Sequence, residues 1–147
     1  MRVDREELKA LIPHKHAMCL LDGVRNFDDE TIVCTSDSHR GRDHPLARAG
    51  ELSAVHAVEY GAQAVAAHEA LTANLNNDGL HEGFLVALRD VHVHCERLDT
   101  LCGTLTVTAR QLLKHEEGGI YEFRVTVEGR TVANGRVTIM HKREDEG

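Results

Sequence analysis

One long helix wrapped by a curved antiparallel sheet, an α+β arrangement, is what this sequence predicts, and three observations predict it. The stretch 52–75 contains no proline and carries alanine or glycine at 54, 57, 61, 62, 64, 66, 67, 70 and 73. At about 3.6 residues per turn it makes roughly six helical turns, and small side chains on nearly every face let neighbouring backbone approach all round. The second observation is strand-like alternation in four runs, at 83–96, 103–116, 119–129 and 130–142, with two further runs before the helix. The third is their grouping: the strands surround one helix instead of alternating with several, so the sheet has to cover that helix itself.

The elements follow in order. Residues 2–11 set Leu8 and Leu11 at helical spacing, with Asp4 as a cap and Pro13 as a stop, and predict a short helix. Residues 17–25 and 31–36, separated by a turn-forming FDDE, predict a hairpin. Residues 38–51 hold three arginines, two histidines, two glycines and a proline without any period, which predicts a loop. The long helix comes next, capped by Ser53 or the residues just before it, and the NNDG turn at 76–79 ends it. Polar turns at 97–100, 116–119 and 128–130 separate the last four strands, and the last three read as an antiparallel meander. Residues 142–147 read as a frayed, charged tail. A sheet of this kind leaves edge strands, and a dimer joining two sheets into one would protect them.

Composition narrows the function. At 147 residues the chain reads as a single domain, 1–147, with enough length for its own core. Twenty-four acidic against 17 basic residues give a net charge of -7, so nucleic acid is an unsuitable partner. No apolar run approaches the roughly 18 residues of a membrane span. Four separate cysteines, without a CxxC pair or an apolar leader, point to reduced thiols and a cytoplasmic setting.

The residues that invite a chemical reading are few. Glu59 sits in the small-residue helix with Val55, Ala62, Gln63 and Ala66 on its face. A carboxyl desolvated there is expected to have a raised pKa and to donate a proton near neutral pH, whereas the plainer alternative is a solvated helix edge. A partner group would come from the loop, where His39 and His44 are both candidate bases and both also read as surface residues. His56, one turn before Glu59, is either an orienting neighbour or a packed side chain. No metal is expected: His92 and His94, with Cys95 following, are two ligands at i and i+2 with no third at a fixed spacing, and His14 and His16 are no better. GxGxxG, phosphate-loop and Gly-x-Ser-x-Gly patterns are missing, so no cofactor or serine nucleophile is indicated.

Together, IPHKHAMCLLDGV, the SHR and HPL strings of the loop, and VEYGAQAVAAH resemble the hotdog-fold 3-hydroxyacyl-[acyl carrier protein] dehydratases of fatty-acid synthesis. That family has L-P-H-R-x-P-x-L-L-x-D-x-V early and E-A-M-A-Q-A on its central helix. The resemblance is closest to the dehydratase-like branch of aryl polyene biosynthesis, whose helix reads E-Y-x-A-Q-A-x-A-x-H, and it covers 11 to about 141. It implies a hotdog fold, puts Glu59 on the catalytic acid and puts Gln63 on the glutamine one turn later. In the fatty-acid enzymes the histidine of G-H-F-P stands fourteen positions before the carboxylate, where this chain has Pro45. His44 is one residue off, while His39 in Ser38-His39-Arg40 matches the S/T-H-R loop of the polyene branch at a spacing of twenty and is preferred. At the start of the helix Ser53 stands where the family has proline, and His56 adds bulk beside it.

The implied reaction is loss of water from a 3-hydroxyacyl thioester to give a trans-2-enoyl thioester. His39 or His44 would take the C2 proton, and Glu59 would protonate the leaving hydroxyl. The implied partners are an acyl carrier protein or coenzyme A thioester and a second hotdog subunit, identical in a homodimer or different in a hetero-oligomer. Arg40, Arg42 and Arg48 are candidates for meeting an acidic carrier. Two rival expectations are thioester hydrolysis on the same fold and a non-catalytic subunit that supports an active partner.

Overall fold

The computed structural model describes residues 2–11, 19–41, 43–75 and 83–141. The chain opens with α1 (Arg5–Leu11), where the Asp4 carboxylate accepts from Glu7 N–H at 2.9 Å as the expected cap. Strands β1 (Gly23–Phe27) and β2 (Thr31–Ser36) form the hairpin. The first strand starts later than the apolar run suggests, because residues 19–22 are used to reach the helix. The central helix α2 (Ala57–Leu75) is followed by β3 (Gly83–Val93), β4 (Leu105–His115), β5 (Gly118–Val127) and β6 (Arg130–His141).

The six strands make one antiparallel sheet in the order β1-β2-β4-β5-β6-β3. Strands β4, β5 and β6 are the meander, and β3 lies on the far edge against β6. The β4–β5 turn is tighter than the sequence suggests, since Gly118 and Gly119 already belong to β5. Alternation in β2, β4 and β5 puts Ile32, Cys34, Val107, Ala109, Tyr121, Phe123 and Val125 inside. These side chains meet Ala57, Tyr60, Ala64, Val65, Ala67 and Leu71 of α2, which touches every strand from β2 to β6. Each large aliphatic or aromatic side chain buried here contributes about 1.5–3 kcal/mol.

The small residues of α2 have a specific use. A Cβ on Gly61 would stand 2.4 Å from Phe123 Cδ2, and one on Gly135 of β6 would stand 2.9 Å from Phe123 Cε1. The Phe123 ring therefore fills the gap between helix and sheet that two glycines leave open. One face of α2 departs from the expectation of burial all round: Val58, Glu59, Ala62 and Ala66 are half-buried, and Val55, just before the helix, is 56% exposed. The helix also begins later than Leu52. Ser53 caps a single 3-10 turn, Ala54–His56, by accepting from Val55 N–H at 3.3 Å, and the α-helix continues from Ala57. The NNDG turn, Pro13, His14, His16, Arg42 and the charged tail lie outside the described residues.

Candidate active site

Glu59 lies in the first turn of α2, half-buried on the open face. One turn later Gln63 is fully buried and donates from Nε2 to Glu59 Oε1 at 3.2 Å. Its Oε1 accepts from Leu20 N–H at 2.8 Å. The amide thereby has a fixed orientation, and it aims its donor at the carboxylate.

The Leu20 peptide is a hub. Its carbonyl accepts from Ser36 Oγ at 2.5 Å and Ser38 Oγ at 2.8 Å. Ser38 Oγ lies 2.6 Å from the Tyr60 hydroxyl, which lies 3.0 Å from His44 Nε2. The other nitrogen of His44, Nδ1, accepts from Leu46 N–H at 3.1 Å. That acceptor role puts the proton of the neutral ring on Nε2, where it donates to Tyr60. Both nitrogens of His44 are committed. Burial lowers the pKa of His44, with the nearby His56 and His39 acting the same way, and pushes the Tyr60 phenol up to about 12. Tyr60 therefore stays protonated, and the chain from His44 to Leu20 is a neutral brace.

His39 is in a different state. It sits on a 3-10 turn, Ser38–Arg40, inside the segment expected to be plain loop, and is 1% exposed. Its Nε2 lies 3.1 Å from the Leu101 carbonyl, which can only accept, so Nε2 carries the proton. Nδ1 is then a lone-pair acceptor, and it is buried without a hydrogen-bond partner among the described residues. Burial lowers the pKa of this ring, while the Leu101 carbonyl, Asp37 and the Gly103 backbone pull the other way. A neutral imidazole with one nitrogen fixed and a lone pair left on the other is suited to accept a proton.

The structure thus joins Glu59 to Gln63 and, through Leu20 and Ser38, to Tyr60 and His44. His39 is held separately by Leu101. His56 ends the 3-10 turn half-buried, close enough to His44 to act on its charge. Arg40 is paired with Asp37 at 2.6 Å, so its charge is already met. His92 and His94 stack with ring centroids 6.4 Å apart, both exposed, and no group of three ligating side chains occurs among the described residues. Sequence reasoning missed Leu20, Ser36, Ser38, Tyr60 and Leu101. Hydroxyls adjoining His39 and Glu59 were visible as a signal, but Leu20 and Leu101 act through backbone atoms and carry none.

A sheet wrapped around one central helix, with a glutamate in the helix and histidines on the loop before it, defines a hotdog-fold protein. The profile of the ApeP-like family, described as ApeP dehydratase, matches residues 6–146. The chain belongs to that family: it is a dehydratase, a hydro-lyase, of the aryl polyene branch that the EYGAQA string resembles. Among curated proteins none matches.

Solved structures show the same fold. One is a chain of the dehydratase heterocomplex ApeI:P from Xenorhabdus doucetiae, with a TM-score of 0.83 at 23% identity over 93% of this chain and 91% of that one. A Thr68Ala mutant of a hypothetical thioesterase from Streptococcus pneumoniae TIGR4 has a TM-score of 0.61 at 12% identity, over 82% and 89% of the two chains. AziG of S. sahachiroi has 0.61 at 17% identity, over 90% and 98%.

Proposed function

We propose that the chain, as one domain over residues 1–147, converts a 3-hydroxyacyl thioester to a trans-2-enoyl thioester with His39 as base and Glu59 as acid. The observation that carries this is the state of His39: neutral, buried, its Nε2–H held by Leu101, its Nδ1 free. In the reaction Nδ1 takes the proton from C2, the C2 electron pair becomes the C2–C3 double bond, and the C3–O bond breaks. The Glu59 carboxyl supplies the proton with which the hydroxyl leaves as water, and Gln63 Nε2–H stabilises the carboxylate that results. Transfer of the imidazolium proton back to Glu59 restores the starting state. The free Nδ1 favours His39 over His44, whose two nitrogens already have partners.

The proposed assembly includes a second hotdog subunit. Glu59 lies on the open face of α2, and the exposed apolar side chains Leu85, Val86, Leu88 and Val93 lie along β3, so a subunit placed there would enclose both. The described ApeI:P structure is a heterocomplex, which makes an unlike partner as reasonable as a second copy. An apolar channel for the acyl chain would close only in that assembly. Two hollows lined by described residues, of about 370 Å³ beside Thr72 and about 560 Å³ beside Arg110, include neither His39 nor Glu59 in their linings. The acyl group is taken as carried on a carrier protein or coenzyme A, with Arg48 the exposed described member of the loop arginines once Arg40 is paired. Four free thiols fit a reducing, cytoplasmic setting.

The test uses the purified assembly with a 3-hydroxyacyl and a saturated acyl thioester. Formation of enoyl thioester from the first, without thiol release from the second, is expected. Glu59→Gln and His39→Ala should each lower the rate by about 10²–10⁴-fold. Thiol release from both substrates would establish thioesterase chemistry instead. Unchanged rates in both variants would place the chemistry in a partner subunit.

A further inference from the structure

The carbonyl that sets the His39 tautomer belongs to a turn, residues 97–101, which one carboxylate ties to the start of the central helix. Asp99 Oδ1 accepts from Leu52 N–H at 2.9 Å and from Arg97 Nε at 3.1 Å, and its Oδ2 takes a second bond from the same guanidinium. The Arg97 guanidinium also meets Glu51 at 3.3 Å. Backbone bonds complete the attachment: Leu98 N–H to Leu52 C=O at 2.8 Å, Ala54 N–H to Glu96 C=O at 2.9 Å, and Leu101 N–H to Leu98 C=O at 3.0 Å. Leu98 is fully buried beneath the turn. Bidentate pairing with arginine fixes the plane of the carboxylate as well as its position.

We propose that Asp99, oriented by Arg97, is a positioning residue for the proton transfer. It registers the Leu101 carbonyl, and through it the Nε2–H tautomer of His39, against the first turns of the helix that carries Glu59. Acid and base lie twenty residues apart in sequence, and this turn, some forty residues beyond Glu59, links the segments that hold them. Asp99 touches neither reacting atom. It acts through Leu52 on one side and Leu101 on the other. The proposal rests on the assignment of His39 as the base.

Two readouts test it, one of them independent of turnover. Nitrogen-15 NMR of the histidine rings in the full chain should show His39 as the Nε2–H tautomer. Asp99→Ala should give a mixture of tautomers, and Asp99→Asn, which keeps an acceptor for Leu52 N–H and Arg97 Nε but loses the one for the second guanidinium N–H, should fall between Asp99→Ala and the wild type. In the dehydration assay Asp99→Ala should lower kcat about 10- to 100-fold with KM changed less than about twofold, as expected for a displaced catalytic group. Its acid limb should move to lower pH, because the Leu101 carbonyl favours the protonated ring and Asp37 and Arg40 remain beside it. An Asp99→Ala protein that keeps the pure tautomer and the wild-type acid limb would overturn the proposal even if it were less active. Equal damage from Asp99→Asn and Asp99→Ala, with the tautomer unmoved, would mark the residue as merely structural. His39→Ala, measured in parallel, reads the base assignment separately: full activity there would remove that assignment, and the NMR result would still decide whether Asp99 orients the ring.

Discussion

His39, His44 and His68 are three buried imidazoles, and each is held by a different set of partners. His68, fully buried on α2, lies between the Tyr121 hydroxyl at 2.6 Å on Nδ1 and the Asp28 carbonyl at 2.7 Å on Nε2, so it ties the β1–β2 turn to helix and sheet. Burial is the leading cause that lowers the pKa in all three. For a histidine whose folded pKa is depressed, the unfolded chain binds the proton first as pH falls. The stabilisation is complete above the unfolded value of about 6.5 and is lost below it, by up to about 1.4 kcal/mol per pH unit for each histidine. Urea unfolding between pH 7.5 and 5 should therefore show falling stability, with a shallower slope in His68→Asn; a flat profile would contradict it. The lowered carboxylates Asp28 and Asp37 act only in a lower window, below about pH 4. At this scale the sequence showed which groups had suitable chemistry. It did not show which nitrogen was free, because Leu101, Leu46 and Asp28 set the tautomers through backbone atoms that no residue type announces.

The legible element was α2, and what was hidden in it was the asymmetry of its faces. Its run of small residues pointed correctly to close approach, and the contact that needs it is the Phe123 ring between Gly61 and Gly135. Which face would remain open followed from strand order, and strand order depends on where β3 goes after its turn, to the edge beside β6. Gly61→Ala tests the packing. Alanine is the better helix former by about 1 kcal/mol, so an uncrowded site would be stabilised. Here the new methyl would stand 2.4 Å from Phe123 Cδ2, and destabilisation of about 1–3 kcal/mol is expected. Phe123→Leu should recover part of that loss in the double variant, giving a coupling energy between the two sites. A rise in Tm for Gly61→Ala would show that the ring has room to move.

At the level of the molecule the two edges of the sheet are treated differently. On the β1 edge Val3 exchanges both backbone hydrogen bonds with Val24, at 3.0 and 2.8 Å, so the N-terminal segment closes that side locally. The β3 edge has apolar side chains exposed instead: Leu85 at 46%, Val86 at 52% and Leu88 at 43%. Consecutive exposed aliphatics on an edge that no described strand covers favour strand pairing, and the open face of α2 with Glu59, together with Val55 in the turn before it, adds area toward the roughly 1,000 Å² that a specific interface needs. The edges and the need to cover them were legible from the count of strands around a single helix; which edge the chain covers itself was not, since Val3 does so through its backbone. Val86→Lys with Leu88→Lys places two charges on this strand without entering the core. Sedimentation should show the wild-type chain heavier than its 16.3 kDa monomer, alone or with a co-expressed hotdog partner, and the double variant at monomer mass with unchanged circular dichroism. Dehydration should fall with the assembly, because Glu59 would then face water. A variant that keeps the wild-type mass would place the interface elsewhere, and a monomeric variant with full activity would show that a single chain encloses the substrate unaided.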